Sequence, residues 1–128
     1  MYEEEIADCL ALMLESIKLI EMRFQKAESS DEFVQSSEGI TLLDAIAMRL
    51  QVIGESVRKI QKMDSSFLDS YSDVEWNKIA RFRDLVSHHY DQVDHEIVFD
   101  ICKVHIPMLK RTLQRIFPDI SAQEKNRT

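Results

Sequence analysis

"TLLDAIAMRLQVIGESVRKI", Thr41–Ile60, decides the fold class. Its apolar residues Leu43, Ile46, Leu50, Ile53, Val57 and Ile60 recur every three or four positions. That is the period of one helix face, not the alternation of a strand. The spacing predicts one long helix from Thr41 to about Lys62. Gly54 stands in its middle, at a cost of roughly 1 kcal/mol against alanine. A glycine kept there predicts that another backbone passes close by, because only a missing side chain permits such an approach.

The same period extends outward in both directions. Ile6, Leu10, Met13, Ile17, Ile20 and Phe24 predict a helix over about Glu3–Lys26. "SSDEF" offers the caps Ser29, Ser30 and Asp31 to a short second helix carrying Phe33 and Val34, with Gly39 as its breaker. After the polar connection "DSSFLDSYSD", Ser72 and Glu75 read as a capping box. The helix it opens buries Trp76, Ile79, Ala80 and Phe82. Asp94 is the next N-cap, and Ile97, Ile101, Val104, Met108, Leu113 and Ile116 form the last stripe. Pro107 predicts a kink or break near His105, since proline cannot donate to the preceding turn. Pro118 predicts the stop. The expectation is an all-α, up-and-down bundle of four to five helices over residues 1–118, with 119–128 as a frayed polar tail.

Composition agrees and excludes other classes. With two glycines and two prolines in 128 residues, the tight turns of an all-β or open α/β fold have few residues to build them. Two distant cysteines, Cys9 and Cys102, fall in helical apolar register and read as small hydrophobes rather than a disulfide or zinc site. The acidic start "MYEEEIADCL" is unlike a signal peptide. No apolar run approaches the ~18 residues of a membrane span, so a soluble, cytoplasmic protein without membrane association is expected. Net charge is −7, against indiscriminate nucleic-acid binding. The charge is uneven: residues 1–48 hold 11 acidic and 3 basic side chains, residues 49–118 hold 10 and 11. A phosphate-bearing substrate should meet the second half.

Within that half, "RFRDLVSHHYDQVD", Arg81–Asp94, gathers arginines, histidines, aspartates and a tyrosine. At 100° per residue, Arg83 and Tyr90 fall within about 20° of each other, whereas His88 lies about 140° from Arg83. In a straight helix, Arg83 and His88 of one chain cannot grip one small target together. Either the helix unwinds near Ser87, or a second subunit brings its own copy. Arginine offers a fixed fork of donors for phosphate, and histidine exchanges a proton near neutral pH. Together they suffice to cleave RNA without a metal ion. From spacing alone the bland reading stands beside this one: Arg83 paired with Asp84 or Glu75, and His88 capping helix carbonyls.

The wider sequence adds to this. "DAIAMRLQVIGESVRKI", "VEWNKIARFRDLVSHHYDQVDHEIVFDI" and "IPML" together resemble the HepT-like branch of the HEPN superfamily over roughly residues 40–118. The features fall in order: Asp44-Ala45, Gly54-Glu55, Trp76, the Arg-polar-x3-His-x-Tyr element, Val93-Asp94 and Pro107. The resemblance implies a small helical ribonuclease toxin, homodimeric, with the two motifs facing across the interface. It implies catalysis by Arg83 and His88, and a supporting role for Asp84, which stands where relatives most often have Asn and would orient Arg83 or His88. Tyr90 matches the tyrosine that nucleotidyltransferase antitoxins of the MntA type modify with AMP. RNA and such an antitoxin are the implied partners.

Other polar residues read as bland. His89, His95 and His105 are taken as solvated or structural. No two of His88, His89 and His95 have the i,i+4 spacing of a zinc helix, so neither metal nor cofactor is expected. Arg49, Arg58 and Lys62 form a basic row on the long helix. A second functional reading keeps the fold and drops the catalysis: a helical partner or substrate-recognition subunit of a nucleotidyltransferase.

Overall fold

The computed structural model describes residues 3–126, with side chains described to Phe117. Five helices follow in order: α1 (Glu3–Phe24), α2 (Ser37–Met63), α3 (Trp76–His88), α4 (His95–Asp100) and α5 (Ile106–Asn126). A π-helical turn, Ile101–His105, joins α4 to α5 without a break. Single 3-10 turns occupy Ser30–Phe33, Phe67–Ser70 and Tyr90–Gln92. Among the described residues there is no strand. The all-α bundle expected from the periodicity is the fold.

α2 is its centre, packed against α1 on one side and α3 on the other, while α5 closes over α1. The core is the set of stripes read from the sequence: Leu10, Met13, Ile17 and Ile20 from α1, Ile46, Ile53, Val57 and Ile60 from α2, all essentially without solvent contact. Three glutamates, Glu3, Glu4 and Glu5, sit in the first turn of α1, where they complement the positive end of the helix dipole. Lys110 of α5 pairs with Glu21 of α1 at 3.1 Å.

The connections correct several expectations. The short second helix is one 3-10 turn, and Ser29 before it makes no side-chain cap bond. What holds that turn is burial: Phe33 is fully enclosed and meets Phe99 of α4 edge-on, with Phe99 in turn on Phe24. Gly39 does not break a helix. It lies inside the first turn of α2, where its N–H is taken by the cap Ser36 Oγ at 3.0 Å. Its Cβ would fall 1.8 Å from the Glu32 carbonyl oxygen, so the glycine lets the 3-10 turn lie against the helix start. No capping box forms at Ser72, because α3 begins at Trp76 with Glu75 before it and no side-chain cap bond. Asp73, between them, instead receives the Thr112 hydroxyl and Arg115 of α5. The Trp76 indole N–H is satisfied by the Tyr71 carbonyl at 2.9 Å.

The last stripe is the largest correction. Ile97, Val104 and Met108 are 52%, 45% and 39% exposed, while Val98, Cys102, Ile106 and Leu109 take the core positions. In an uninterrupted α-helix, residues 98 and 106 would drift about 80° apart. The wider π turn offsets that drift and keeps one continuous buried line from Val98 through Leu113 to Ile116. It also places the irregularity at His105, beside Pro107, where the proline has no N–H to offer. The helix continues beyond Pro118 to Asn126; a proline inside a helix costs a hydrogen bond without forcing a stop.

α3 packs along α2 and stands off from α5. Between them lies a groove of about 250 Å³, floored by Leu50 and Ile53 and walled by Ile79 and Phe82 on one side, Ile106 and Leu109 on the other.

Candidate active site

The crossing of α2 and α3 builds the site. A Cβ at Gly54 would meet Arg83 Cβ at 2.3 Å and the Ile79 carbonyl oxygen at 3.0 Å. The close backbone approach expected of Gly54 is therefore with α3, at the arginine of the motif. From there the Arg83 guanidinium reaches the residue next to the glycine. Its Nε and Nη2 donate to Glu55 Oε2 at 3.2 and 2.9 Å, and its Nη1 donates to Asp84 Oδ1 at 3.2 Å. The other Asp84 oxygen accepts from Arg58 Nη2.

Glu55, Arg83, Asp84 and Arg58 thus alternate in sign and sum to zero. Arg83 is the most enclosed of the four, its side chain 24% exposed. The bonds to Glu55, then Asp84, raise its pKa above the usual guanidinium value. Partly exposed pairs of this kind are screened by solvent and add little to stability. Their effect is orientation: three of the five guanidinium N–H groups are committed, leaving one on each terminal nitrogen for an anion. Of the two pairings that the bland reading allowed for Arg83, the one with Asp84 forms and the one with Glu75 does not, since Glu75 pairs with Lys78.

Three turns before Glu55, the same stripe of α2 presents Asp44, eleven residues away and within about 20° around the helix. The Tyr90 hydroxyl donates to Asp44 Oδ1. Tyr90 is 40% exposed; partial burial first, and the neighbouring Asp44 second, push its pKa well above that of an ordinary phenol. The hydroxyl therefore keeps its proton throughout the neutral range. Arg83 and Tyr90 both meet α2, although the helix whose spacing would align them ends at His88 and Tyr90 stands in a separate 3-10 turn.

His88 is different. It is the last residue of α3, exposed, with no side-chain hydrogen bond or ion pair among the described residues. The helix stays closed through it, with the His89 N–H on the Leu85 carbonyl at 2.8 Å. Unwinding near Ser87 does not happen; Arg83 is joined to Asp84, and no hydrogen bond or ion pair among the described residues joins His88 to either. Nor does His88 cap the helix carbonyls.

The remaining candidates fall away from this centre. His89 is exposed at the end of α3, and His105 lies 3.6 Å from Asp100, the i,i+5 neighbour that a π turn brings alongside. Among the described residues no three His, Cys, Asp or Glu side chains lie together as metal ligands would. Cys102 is buried, its thiol pushed up to about 12 by that burial, and Cys9 is half-buried; both are free. No helix of the described residues is long and apolar enough to cross a membrane. Sequence reasoning missed three partners: Glu55 and Arg58 for the Arg83–Asp84 pair, and Asp44 for Tyr90. Gly54 was the signal for the first two, since it marks where α3 crosses and Glu55 and Arg58 follow within one turn.

A family model described as "Ribonuclease HepT-like" matches residues 13–116. The chain belongs to the HepT-like ribonuclease family. That match takes in Asp44, the Gly54 crossing and the whole Arg83–Tyr90 segment of the HepT-like domain. Two relatives named as ribonucleases are matched over nearly their whole length. A protein of Methanocaldococcus jannaschii named "Putative RNase MJ0127" is 29% identical over 98% of both chains. One of Thermococcus cleftensis named "Probable ribonuclease HepT" is 25% identical over 90% of this chain and 92% of its own. A third, "Gamma-glutamylcyclotransferase and putative RNase MJ0434" of M. jannaschii, is 30% identical over 90% of this chain, which spans about half of that longer protein. No solved structure matches.

Proposed function

We propose that this HepT-like protein is a metal-independent endoribonuclease, the toxin of a HepT–MntA type pair, working as a homodimer. The observation that carries the reading is the division of labour on α3. Arg83 is braced by two carboxylates with one N–H uncommitted on each terminal nitrogen, while His88, at the exposed helix end, has no side-chain hydrogen bond or ion pair among the described residues. Five residues apart on α3, the two groups are about 140° apart around the helix; a two-fold partner would supply the missing group to each cleft.

In the reaction, a ribose 2′-oxygen attacks the adjacent phosphorus and the bond to the 5′-oxygen breaks, giving a 2′,3′-cyclic phosphate and a 5′-hydroxyl. One His88 imidazole takes the 2′-hydroxyl proton, and the other, as imidazolium, gives its proton to the departing oxygen. The free N–H groups of Arg83 hold the charge that builds on the phosphoryl oxygens. Control is exerted at Tyr90: a MntA-type nucleotidyltransferase transfers AMP from ATP to its oxygen, releasing pyrophosphate and a proton. The bulky anion then occupies the cleft beside Arg83.

The test is cleavage of RNA by purified protein in EDTA. Arg83→Ala and His88→Ala are each expected to stop it, and cleavage surviving both removes these residues from the mechanism. One feature favours the second reading, a non-catalytic partner of a nucleotidyltransferase: most Arg83 donors are already engaged within the chain. A wild-type protein that leaves RNA intact and is harmless on expression, yet accepts AMP at Tyr90, decides for it.

A further inference from the structure

The segment between His88 and α4 has one apolar anchor, Val93, partly buried against the core at its far end. Tyr90–Gln92 is a single 3-10 turn with no buried residue, and His89 before it makes no side-chain cap bond. Its backbone bonds are all local: His89 N–H to the Leu85 carbonyl, Gln92 N–H to the His89 carbonyl, Val93 N–H to the Tyr90 carbonyl. Among the described residues, the hydrogen bond from Tyr90 to Asp44 is the one that carries this turn across to another helix, 46 positions back in the chain. It starts two residues after His88.

We infer that Asp44 is a positioning residue: by accepting the Tyr90 hydroxyl it latches the turn onto α2 and so sets the direction of His88. A carboxylate is a strong acceptor, and a hydrogen bond to a charged group is stronger than one between neutral groups. The latch stays shut across neutral pH, because the phenol does not ionise there. It opens by chemistry at the oxygen. Tyr90 has one proton to donate; an ester at that oxygen removes it and sets a phosphodiester charge against the Asp44 carboxylate. Nucleotide transfer to Tyr90 would therefore act twice, filling the cleft and releasing the segment that holds His88. The second effect requires no contact between the added nucleotide and RNA.

The catalytic part of this inference rests on the ribonuclease reading; the latch itself does not. The experiment compares full-length wild type, Tyr90→Phe, Asp44→Ala and Asp44→Asn by hydrogen–deuterium exchange and by the kinetics of RNA cleavage. Both side chains are exposed, so the substitutions leave the core intact. Tyr90→Phe and Asp44→Ala are expected to speed amide exchange in 89–93 by about tenfold, the effect of losing one charge-assisted bond. They should lower kcat by about the same factor, with KM within about twofold. Asp44→Asn keeps an oxygen acceptor and should retain most of the wild-type protection and kcat. Exchange unchanged in both Tyr90→Phe and Asp44→Ala overturns the latch. Faster exchange with wild-type kcat overturns the link to His88. If the wild type itself leaves RNA uncut, the ribonuclease reading falls, and exchange alone decides whether the latch exists.

Discussion

Gly54 and Arg83 share one crossing point: the missing side chain of the first is the space occupied by the Cβ of the second, 2.3 Å from where a Cβ at Gly54 would stand. In a helix interior, alanine should be better than glycine by about 1 kcal/mol. Here the added methyl meets the Arg83 stem and the Ile79 carbonyl, on a neighbouring helix that must move as a body. Overpacking of this kind costs about 1–3 kcal/mol. Gly54→Ala is therefore expected to lower the urea midpoint, against its propensity, and to reduce RNA cleavage by at least about tenfold as Arg83 leaves Glu55. A midpoint at or above wild type would show that α3 yields freely.

Glu55 separates orientation from stability. Its pair with Arg83 is partly exposed, so Glu55→Gln should change unfolding free energy by less than about 1 kcal/mol. The same change weakens the brace on the guanidinium, and kcat for RNA cleavage is expected to drop about tenfold. Arg83→Lys should cost more, because an ammonium cannot fork to Glu55 and Asp84 while serving a phosphate. Steady-state kinetics on the three proteins check the order.

The register of the last helix is open to a direct contrast. Ile106 is 3% exposed and Ile97 is 52%. Ile106→Ala is expected to cost about 2–5 kcal/mol, as for other buried aliphatic truncations. Ile97→Ala should stay within about 0.5 kcal/mol. Equal losses at the two positions, measured by urea denaturation, would mean that the π turn does not shift the stripe.

Asp73 ties the entry of α3 to α5 and makes part of the stability depend on pH. The Thr112 hydroxyl, then Arg115, hold its carboxyl below the ordinary carboxylate range. A carboxylate depressed in the folded state adds stability above its unfolded pKa, about 3.9, and loses it as pH falls through the folded value. Wild type should therefore exceed Asp73→Asn in urea midpoint at pH 7. The gap should narrow below about pH 4, and a gap that is constant with pH would mean that the charge is irrelevant.

What was legible in the sequence was whatever depends on period. The stripes of α1 and α2 are the buried residues almost one for one, because uninterrupted α-helices obey the 3.6-residue rule. The stripe of the last helix misled because two apolar rows run side by side there, Ile97–Val104–Met108 and Val98–Cys102–Ile106. A widened turn, which periodicity cannot register, decides which faces inward. Gly39 and Ser72 were misread for another reason: the packing of the 3-10 turn's Glu32 carbonyl against Gly39, and the start of α3 at Trp76, are not written in the local residue types. The site divides in the same way. Arg83 and His88 could be placed around α3 from spacing, and Tyr90 only on the assumption that the helix ran on past His88. Asp44, Glu55 and Arg58 could not be assigned to their partners, because pairing across helices requires the crossing geometry and only Gly54 hinted at it.

The cancellation of charge among Glu55, Arg83, Asp84 and Arg58 has a consequence for how RNA is found. A cluster of uncompensated arginines attracts any polyanion from a distance and releases many counterions when it binds. This one presents a pair of donors within a group of four charges that cancel. Capture should therefore depend weakly on ionic strength, and long duplexes should gain little hold on the surface. Selection falls to whichever strand can bring a single bent phosphate into the cleft, and that favours flexible, unpaired stretches over regular helices.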